Sequence, residues 1–339
     1  MTIEEHVPLA DHTTLGVGGV ARSWAQCASE PEFEELAAWA RERGLPWMVM
    51  GGGSNLVVGS RGFDGLVIHM GLRGLRLSDD GAVEAAAGED WDGVAAACVE
   101  TGLAGIECLS GIPGTVGAAP VQNIGAYGQE LADTLVRVRA WDRWSETWTE
   151  LDAGACGFGY RASRFNQQDK GRFVITRVWL QLRPGSPPTL RYPELAQRGP
   201  ITLADARAAV RELRRGKAML LDPADPDSRS AGSFFKNPVV AVAAAARIAA
   251  MAGQAPPQFA AGAGQMKIPA AWLIERAGFA RGYRLAGSAV GLSRRHVLAI
   301  VNYGGGTGEE VMALAEEIRQ AVAARFGVTL EPEPERLGF

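Results

Sequence analysis

Cysteine and histidine are scarce in this sequence, four residues of each, and neither type is grouped. Cys27, Cys98, Cys108 and Cys156 include no Cys-x-x-Cys pair. That argues against a zinc site or a disulfide framework and leaves them as small buried hydrophobes. His6, His12, His69 and His296 are equally scattered and no His-Glu-x-x-His occurs, so no protein-held metal is expected. Long apolar runs are missing too: none reaches the ~20 residues that a bilayer-spanning helix requires. The opening Thr2-Ile3-Glu4-Glu5-His6 is acidic and lacks an apolar signal region, so a cytoplasmic chain without membrane insertion is expected. There is no basic excess either. With 34 Lys and Arg against 38 Asp and Glu, the formal net charge is −4, and nothing draws the whole chain to nucleic acid.

Glycine is what the sequence has in quantity: 43 among 339 residues, without a period. Aperiodic glycine excludes collagen and directs attention to loops. The length suggests two or three domains at roughly 100–200 residues each. Ser29-Glu30-Pro31-Glu32 has the form of a capping box with proline in the first turn, and Phe33, Leu36, Ala37 and Ala40 share one helical face that Gly44 closes. Apolar strands are predicted at Pro46–Met50, Leu56–Val58 and Leu66–Ile68. Further on, Val83–Ala87 is strand-like, Asp90 caps a helix running to Gly102, and Val136, Val138 and Ala140 alternate with arginines as in a half-buried strand. Val174–Leu182 alternates likewise, and Trp141, Trp144 and Trp148 surround a hairpin in which packing is their expected role. Helices are predicted over Leu203–Arg215, Val242–Met251 and Ala270–Ala277, with a strand at Val297–Val301 and a last helix that Thr307 and Glu310 open.

Five segments carry chemistry. Gly51-Gly52-Gly53-Ser54-Asn55-Leu56 follows a strand, and its glycines let the backbone approach a ligand closely with N–H groups turned inward, which suits a phosphate. It lacks both the third glycine of the dinucleotide fingerprint and the Lys-Ser/Thr of a P-loop. About sixty residues later comes Gly111-Ile112-Pro113-Gly114-Thr115-Val116-Gly117, continuing through Asn123-Ile124-Gly125-Ala126-Tyr127-Gly128. This glycine-rich, nearly uncharged stretch can wrap a large neutral cofactor, and the two loops together fit a pyrophosphate. Arg161 sits between aromatics in Gly159-Tyr160-Arg161, where a buried guanidinium needs an anion partner. Ser233 lies in Ser230-Ala231-Gly232-Ser233-Phe234-Phe235-Lys236-Asn237-Pro238, with no histidine nearby and no Gly-x-Ser-x-Gly elbow, so a proton donor suits it better than a triad nucleophile. Leu330-Glu331-Pro332-Glu333-Pro334-Glu335 stiffens the chain around Glu333. Taken singly, each of these also fits a structural turn, an ion pair or a solvated tail.

Together and in this order, from Leu9…His12-Thr13 to the Leu-Glu-Pro-Glu tail, they resemble the UDP-N-acetylenolpyruvoylglucosamine reductases, the MurB family (UDP-N-acetylmuramate dehydrogenases) of peptidoglycan precursor synthesis. The resemblance implies an α+β fold: an FAD-binding part of the vanillyl-alcohol-oxidase (PCMH) type in two subdomains, 1–69 (joined by 328–339) and 70–212, and a third α/β substrate-binding domain, 213–327. It implies non-covalent FAD held by Gly51, Gly52, Gly53, Ser54, Asn55 and Leu56, by Gly111, Ile112, Pro113, Gly114, Thr115 and Gly117, and by Asn123, Gly125, Ala126 and Tyr127. NADPH would be co-substrate and a UDP-linked amino sugar the substrate. Hydride would reach the vinyl terminus of the enolpyruvyl group and a proton the neighbouring carbon. Arg161 would stabilise charge on the substrate carboxylate, Glu333 would assist in protonated form, and Ser233 would give the proton. Lys217 in Arg214-x-x-Lys217 and Asn237 match nucleotide contacts, and Tyr192 in Leu190-Arg191-Tyr192 matches the loop tyrosine of one subtype. Lys267 and Trp272 match a structural segment. A monomer is expected.

Two departures stand out. Glu335 follows where many members have a hydrophobe, which makes it a competitor of Glu333, and the Asp222–Ser230 stretch is longer than the pattern. The alternative reading is an FAD-linked oxidase of the same fold acting on an alcohol or sugar. Many of these attach flavin through His or Cys, and neither type occurs in the two glycine segments.

Overall fold

The computed structural model describes residues 2–199 and 202–339. The chain folds as two compact units, and each is drawn from separated stretches. One unit takes the residues up to Val7, Ala21–Gly53 and Phe63–Gly216, and the other takes Pro8–Val20, Ser54–Gly62 and Lys217–Phe339.

In the first unit, helix α1 (Glu30–Glu42) begins at the expected Ser29 cap, but the reciprocal half of the expected capping box goes to Ala28 and not to Ser29. The Ser29 hydroxyl accepts the Glu32 N–H at 3.3 Å, and the Glu32 carboxylate accepts the Ala28 N–H at 2.9 Å. Its face of Phe33, Leu36 and Ala40 is buried with Ala25, Cys27, Leu66 and Ile68 of a four-stranded sheet. That sheet runs Glu4–Pro8, Val20–Cys27, Phe63–Met70, Trp47–Met50, and its last three strands are mutually parallel, as a strand–helix–strand crossover requires. A second, five-stranded antiparallel sheet is ordered Thr147–Asp152, Leu135–Asp142, Phe173–Gln181, Ala82–Ala86, Leu75–Leu77. Helix α2 (Trp91–Glu100), capped by Asp90, belongs to its core through Trp91, Val94 and Cys98. Helices α3 (Pro193–Arg198) and α4 (Leu203–Gly216) complete the unit.

Two of the three hairpin tryptophans pack: Trp141 and Trp148 pair across the strands with ring centroids 5.0 Å apart. Trp144 does not. It sits in the tight turn, 69% exposed, with only the Arg172 guanidinium 4.4 Å over its ring. All four cysteines are buried, and burial raises the thiols of Cys98 and Cys108 to about 12.

The second unit is built on helices α5 (Val242–Ala252), α6 (Ala270–Arg276) and α7 (Gly308–Phe326), the last opened by a Thr307–Glu310 capping box. Val311, Leu314, Ile318, Val322 and Phe326 line the buried side of α7 at helical spacing and share a core with Ile248, Leu273, Ile274, Leu15 and Val57. The predicted strand at Val297–Val301 starts later, at Ile300, because residues 293–299 form a turn; Ile300–Asn302 pairs antiparallel with Val290–Leu292. The C-terminal strand Glu335–Leu337 runs parallel to Leu56–Val58.

Candidate active site

The two glycine segments meet in the first unit. A Cβ on Gly51 would lie 2.4 Å from the Thr115 hydroxyl, and one on Gly52 would lie 3.0 Å from Gly114 Cα. Gly52 and Gly114 thus approach backbone to backbone, while Gly51 makes room for the Thr115 side chain. Gly111–Gly117 is laid along the chain leading into α2: the Trp91 N–H donates to Gly114 O, the Val116 N–H to Glu89 O and the Gly117 N–H to Ala87 O, at 2.9–3.0 Å. The six-residue motif Gly51–Leu56 is divided, with Gly51–Gly53 ending a stretch of the first unit and Ser54–Leu56 opening a stretch of the second.

The Gly111 peptide is fastened on both sides. Its N–H donates to the Asp92 carboxylate at 2.6 Å, and its carbonyl accepts from Arg214 Nε at 2.9 Å. Arg207 and Arg211, one helical turn apart on α4, both pair with Asp92. Burial alone would raise the Asp92 carboxyl, but the bonds from Arg207 and Gly111 and the two arginine charges outweigh it and hold it below the ordinary value.

Farther along, Asn123, Tyr127 and Arg161 all adopt left-handed backbone, with φ of 46°, 49° and 51°. Such conformations in non-glycine residues cost about 1 kcal/mol or more each and gather at functional sites. The Asn123 amide holds its turn by donating to Gly159 O at 3.0 Å and accepting from Ala132 N–H at 3.0 Å. The Arg161 guanidinium donates to the carbonyls of Asn123 and Gly125. A Cβ on Gly125 would fall 2.8 Å from Arg161 Nη1, so this glycine admits the guanidinium. Tyr192 lies edge-on to Tyr127, centroids 5.1 Å apart, and burial pushes the Tyr127 hydroxyl up to about 12 against the opposing charge of Arg214.

Two carboxylates near these segments, and one in the second unit, escape sequence reasoning. Besides Asp92 there is Glu107, fully buried, which accepts N–H bonds from Gly105 (2.7 Å), Gln129 (2.8 Å) and Thr189 (2.7 Å), the last at the root of the tyrosine loop. Its one signal in sequence is its place inside the apolar run Ile106-Glu107-Cys108-Leu109. The third, Asp227, belongs to the second unit.

Ser233 and Glu333 are neighbours in that unit. The Glu333 N–H donates to Phe234 O at 2.9 Å, Phe235 bridges Pro332, and the Lys236 N–H donates to Glu331 O at 3.0 Å. Two extended stretches about a hundred residues apart in sequence thus run side by side. Glu333 is level with Phe234, whereas the Glu335 N–H bonds Asn55 O at 3.0 Å. Asn55 also reaches Glu333 O with its amide, at 3.3 Å. Asn237 uses its side-chain oxygen to accept the Ala270 N–H at 2.9 Å, at the start of α6. Lys217 opens this unit's main stretch; burial, then the charges of Lys217 and Arg281, pushes the His296 imidazole down to about 4. Lys267 lies in a sheet strand opposite Val239, and Trp272 packs 6.1 Å from Phe326. Arg161, Tyr192 and the Gly111–Tyr127 segment belong to the first unit, and Lys217, Ser233, Asn237 and Glu333 to the second. Among the described residues no cluster of His, Cys, Asp and Glu could hold a metal ion, and no helix is long and apolar enough to cross a membrane.

The backbone-lined cradle of the first unit fits a bulky, phosphate-bearing cofactor: its glycines leave no side chains in the way, and its turns are held by bonds that need no ligand. Residues 21–151 match a family model for an FAD-binding domain. The class is therefore an FAD-dependent oxidoreductase of α+β fold. Residues 223–337 match the model of the UDP-N-acetylenolpyruvoylglucosamine reductase C-terminal domain. A reductase of that name from Thermobifida fusca is 45% identical, over 98% of this chain and 97% of its own. One from Nocardia farcinica is 47% identical over 99% and 90%. The crystal structure of such a reductase from Thermus caldophilus superposes with a TM-score of 0.69 at 27% identity, covering 99% of both chains. The chain belongs to the UDP-N-acetylenolpyruvoylglucosamine reductase family. The oxidase alternative has less behind it, since the reductase likeness runs the full length.

Proposed function

We propose that the chain reduces the enolpyruvyl ether of UDP-N-acetylglucosamine to UDP-N-acetylmuramate, with NADPH as the reductant. FAD held by the Gly51–Leu56 and Gly111–Tyr127 segments would supply the two-electron hydride chemistry that links NADPH to the vinyl group. The protein's own residues handle charge and proton. Charge left on the substrate carboxylate is offset by Arg161, an electrostatic contribution of the kind worth ~10²–10³ in rate. Glu333, in its acid form, donates a hydrogen bond to the same carboxylate, where an ionised group would repel it. The Ser233 hydroxyl gives a proton to the adjoining carbon, a basic centre that makes a weak acid sufficient, and solvent returns it.

The proposed cofactor contacts are Gly51–Leu56, Gly111–Thr115, Gly117, Asn123 and Gly125–Tyr127. Tyr192, Lys217 and Asn237 are the proposed nucleotide contacts. The finer division into parts 1–69 with 328–339, 70–212 and 213–327, a cytoplasmic location and a monomeric state belong to the same proposal.

The observation that carries it is the pairing that sets Ser233-Phe234 beside Glu333, in a chain of this family. Anaerobic half-reactions test it. Ser233→Ala is expected to leave NADPH-driven bleaching of the flavin intact and to slow recolouring by the enolpyruvyl nucleotide at least ~100-fold. Equal slowing of both halves would refute the proton-donor role.

A further inference from the structure

The stretch leading into Ser233 is bound to one hairpin at Asp227, Arg229 and Ser230. Asp227 is 2% exposed. Its carboxylate accepts the Ser293 hydroxyl at 3.1 Å, the Arg294 N–H at 2.9 Å and Arg294 Nε at 3.0 Å. These donors form the turn between Val290–Leu292 and Ile300–Asn302, and Ser293 also accepts the Arg295 N–H at 3.1 Å. Two residues on, Arg229 O accepts the Asn302 N–H at 3.1 Å, and Ser230 bridges Val301. Past Ser233, the Phe234 N–H donates to Leu298 O at 2.7 Å. Ser233 therefore lies on a short span whose two ends are tied to one hairpin, and the turn of that hairpin is assembled around the Asp227 charge. Asp225 pairs with Arg295 at the outer end of the stretch, and Arg295 Nε also comes within 4.0 Å of the Asp227 carboxylate.

We propose that Asp227 is a positioning residue for Ser233: its buried carboxylate locks the 293–295 turn to the root of the serine segment and so fixes the direction from which the hydroxyl meets the substrate. The inference rests on the proton-donor reading of Ser233. Burial works against the Asp227 charge, but the bonds from the Arg294 side chain, the Arg294 N–H and Ser293 outweigh it and hold the carboxyl below its ordinary value. Replacing it with an amide turns an NH2 group toward donors that need an acceptor, and the span carrying Ser233 loses its near anchor. A displacement of about 1 Å at a reacting group costs up to ~100-fold in rate.

The test compares Asp227→Asn, Asp227→Glu, Ser293→Ala and Asp225→Asn in the FAD-loaded protein by anaerobic stopped flow. Flavin reduction by NADPH, flavin recolouring by the enolpyruvyl nucleotide and thermal midpoint are each recorded. Asp227→Asn is expected to slow recolouring about ten-fold or more while reduction by NADPH stays within about two-fold. Asp227→Glu should recover part of the loss by restoring the charge. Ser293→Ala, which deletes a single donor, should shift recolouring the same way by less, and it keeps the test open if Asp227→Asn does not fold. Asp225→Asn removes a partner of Arg295 but keeps the Asp227 bonds to Ser293 and Arg294, and it should leave the ratio of the two rates unchanged. A lowered midpoint with both rates unchanged, or both rates falling together, overturns the proposal. Ser233→Ala run alongside separates the two failures: if it splits the half-reactions and Asp227→Asn does not, only the inference falls; if it does not split them, the proton-donor reading falls first.

Discussion

The glycine cradle and the Ser233 segment solve the problem of rigidity by opposite means. In the cradle, Gly52 lies on the Gly114 backbone, Gly51 on the Thr115 hydroxyl and Gly117 on Ala87 and the Ile175 carbonyl, and positions are set by what is missing from Cα. In the serine segment, polar side chains and a ladder of main-chain bonds hold the chain, with Asp227 at its root. A site that must enclose a large cofactor needs volume and N–H groups, which small residues supply. A site that must present one hydroxyl needs a fixed direction, which a buried charge with several donors supplies. The two regions should therefore fail differently when mutated.

The largest effect is expected at the tail of the serine region. Glu333→Gln should lower kcat about 100-fold, whereas Glu335→Gln, whose backbone lies level with Asn55 rather than Phe234, should lower it only a few-fold, with FAD content unchanged in both. The reverse order would assign the carboxylate to Glu335 and separate the catalytic acid from the Ser233 register.

Gly117→Ala breaks the comparison from the other side. The new methyl would lie 2.6 Å from Ala87 Cβ and 3.1 Å from Ile175 O, and overpacking of this kind costs ~1–3 kcal/mol. FAD titrated into apo-protein and followed by flavin fluorescence should bind roughly ten-fold or more weakly, while the chain that does load shows a normal ratio of half-reaction rates. Unchanged affinity would mean that the cradle is not set by backbone approach.

The smallest effect concerns stability. The folded His296 titrates near 4 against an ordinary value of 6.5 because burial and the Lys217 and Arg281 charges disfavour its cation. A depressed histidine contributes stability that is complete above pH 6.5 and is lost as pH falls toward 4, since only the unfolded chain takes up the proton there; the limiting slope is about 1.4 kcal/mol per pH unit. Urea unfolding at pH 7.0, 6.0 and 5.0 should show this slope in the wild-type chain and a flatter one in His296→Gln. Equal slopes would locate the acid sensitivity elsewhere.

Local signals were legible wherever a few consecutive residues decide. The Ser29 cap, the Thr307 capping box, the glycines at helix ends and the apolar spacing of α7 all act within one or two turns of chain. The glycine motifs marked where chain segments approach closely, and only their order along the chain, through the family resemblance, pointed to a flavin. Less legible were features that depend on a distant partner. Val297–Leu298 has the composition of a strand, but it forms part of a turn that Ser293 and Asp227 organise. Trp144 has the composition of a core residue, but the turn leaves no sheet beneath it. Asp92 and Asp227 look like ordinary surface carboxylates, and Glu107 is marked by its apolar neighbours alone, until their donors, contributed by residues far along the chain or across a turn, are in place.

Sequence by itself determined the capped helices and the order of the chemical segments, since helix caps and apolar period are properties of short stretches, and the flavin-dependent class followed from the family resemblance that those segments carry together. Tertiary structure alone decided that Glu333 rather than Glu335 stands level with Phe234, that Gly52 meets Gly114, and which buried carboxylates brace the loops. Register and charge pairing join residues tens to hundreds of positions apart, and the energy that selects one pairing over its neighbours exists only once both partners have left water.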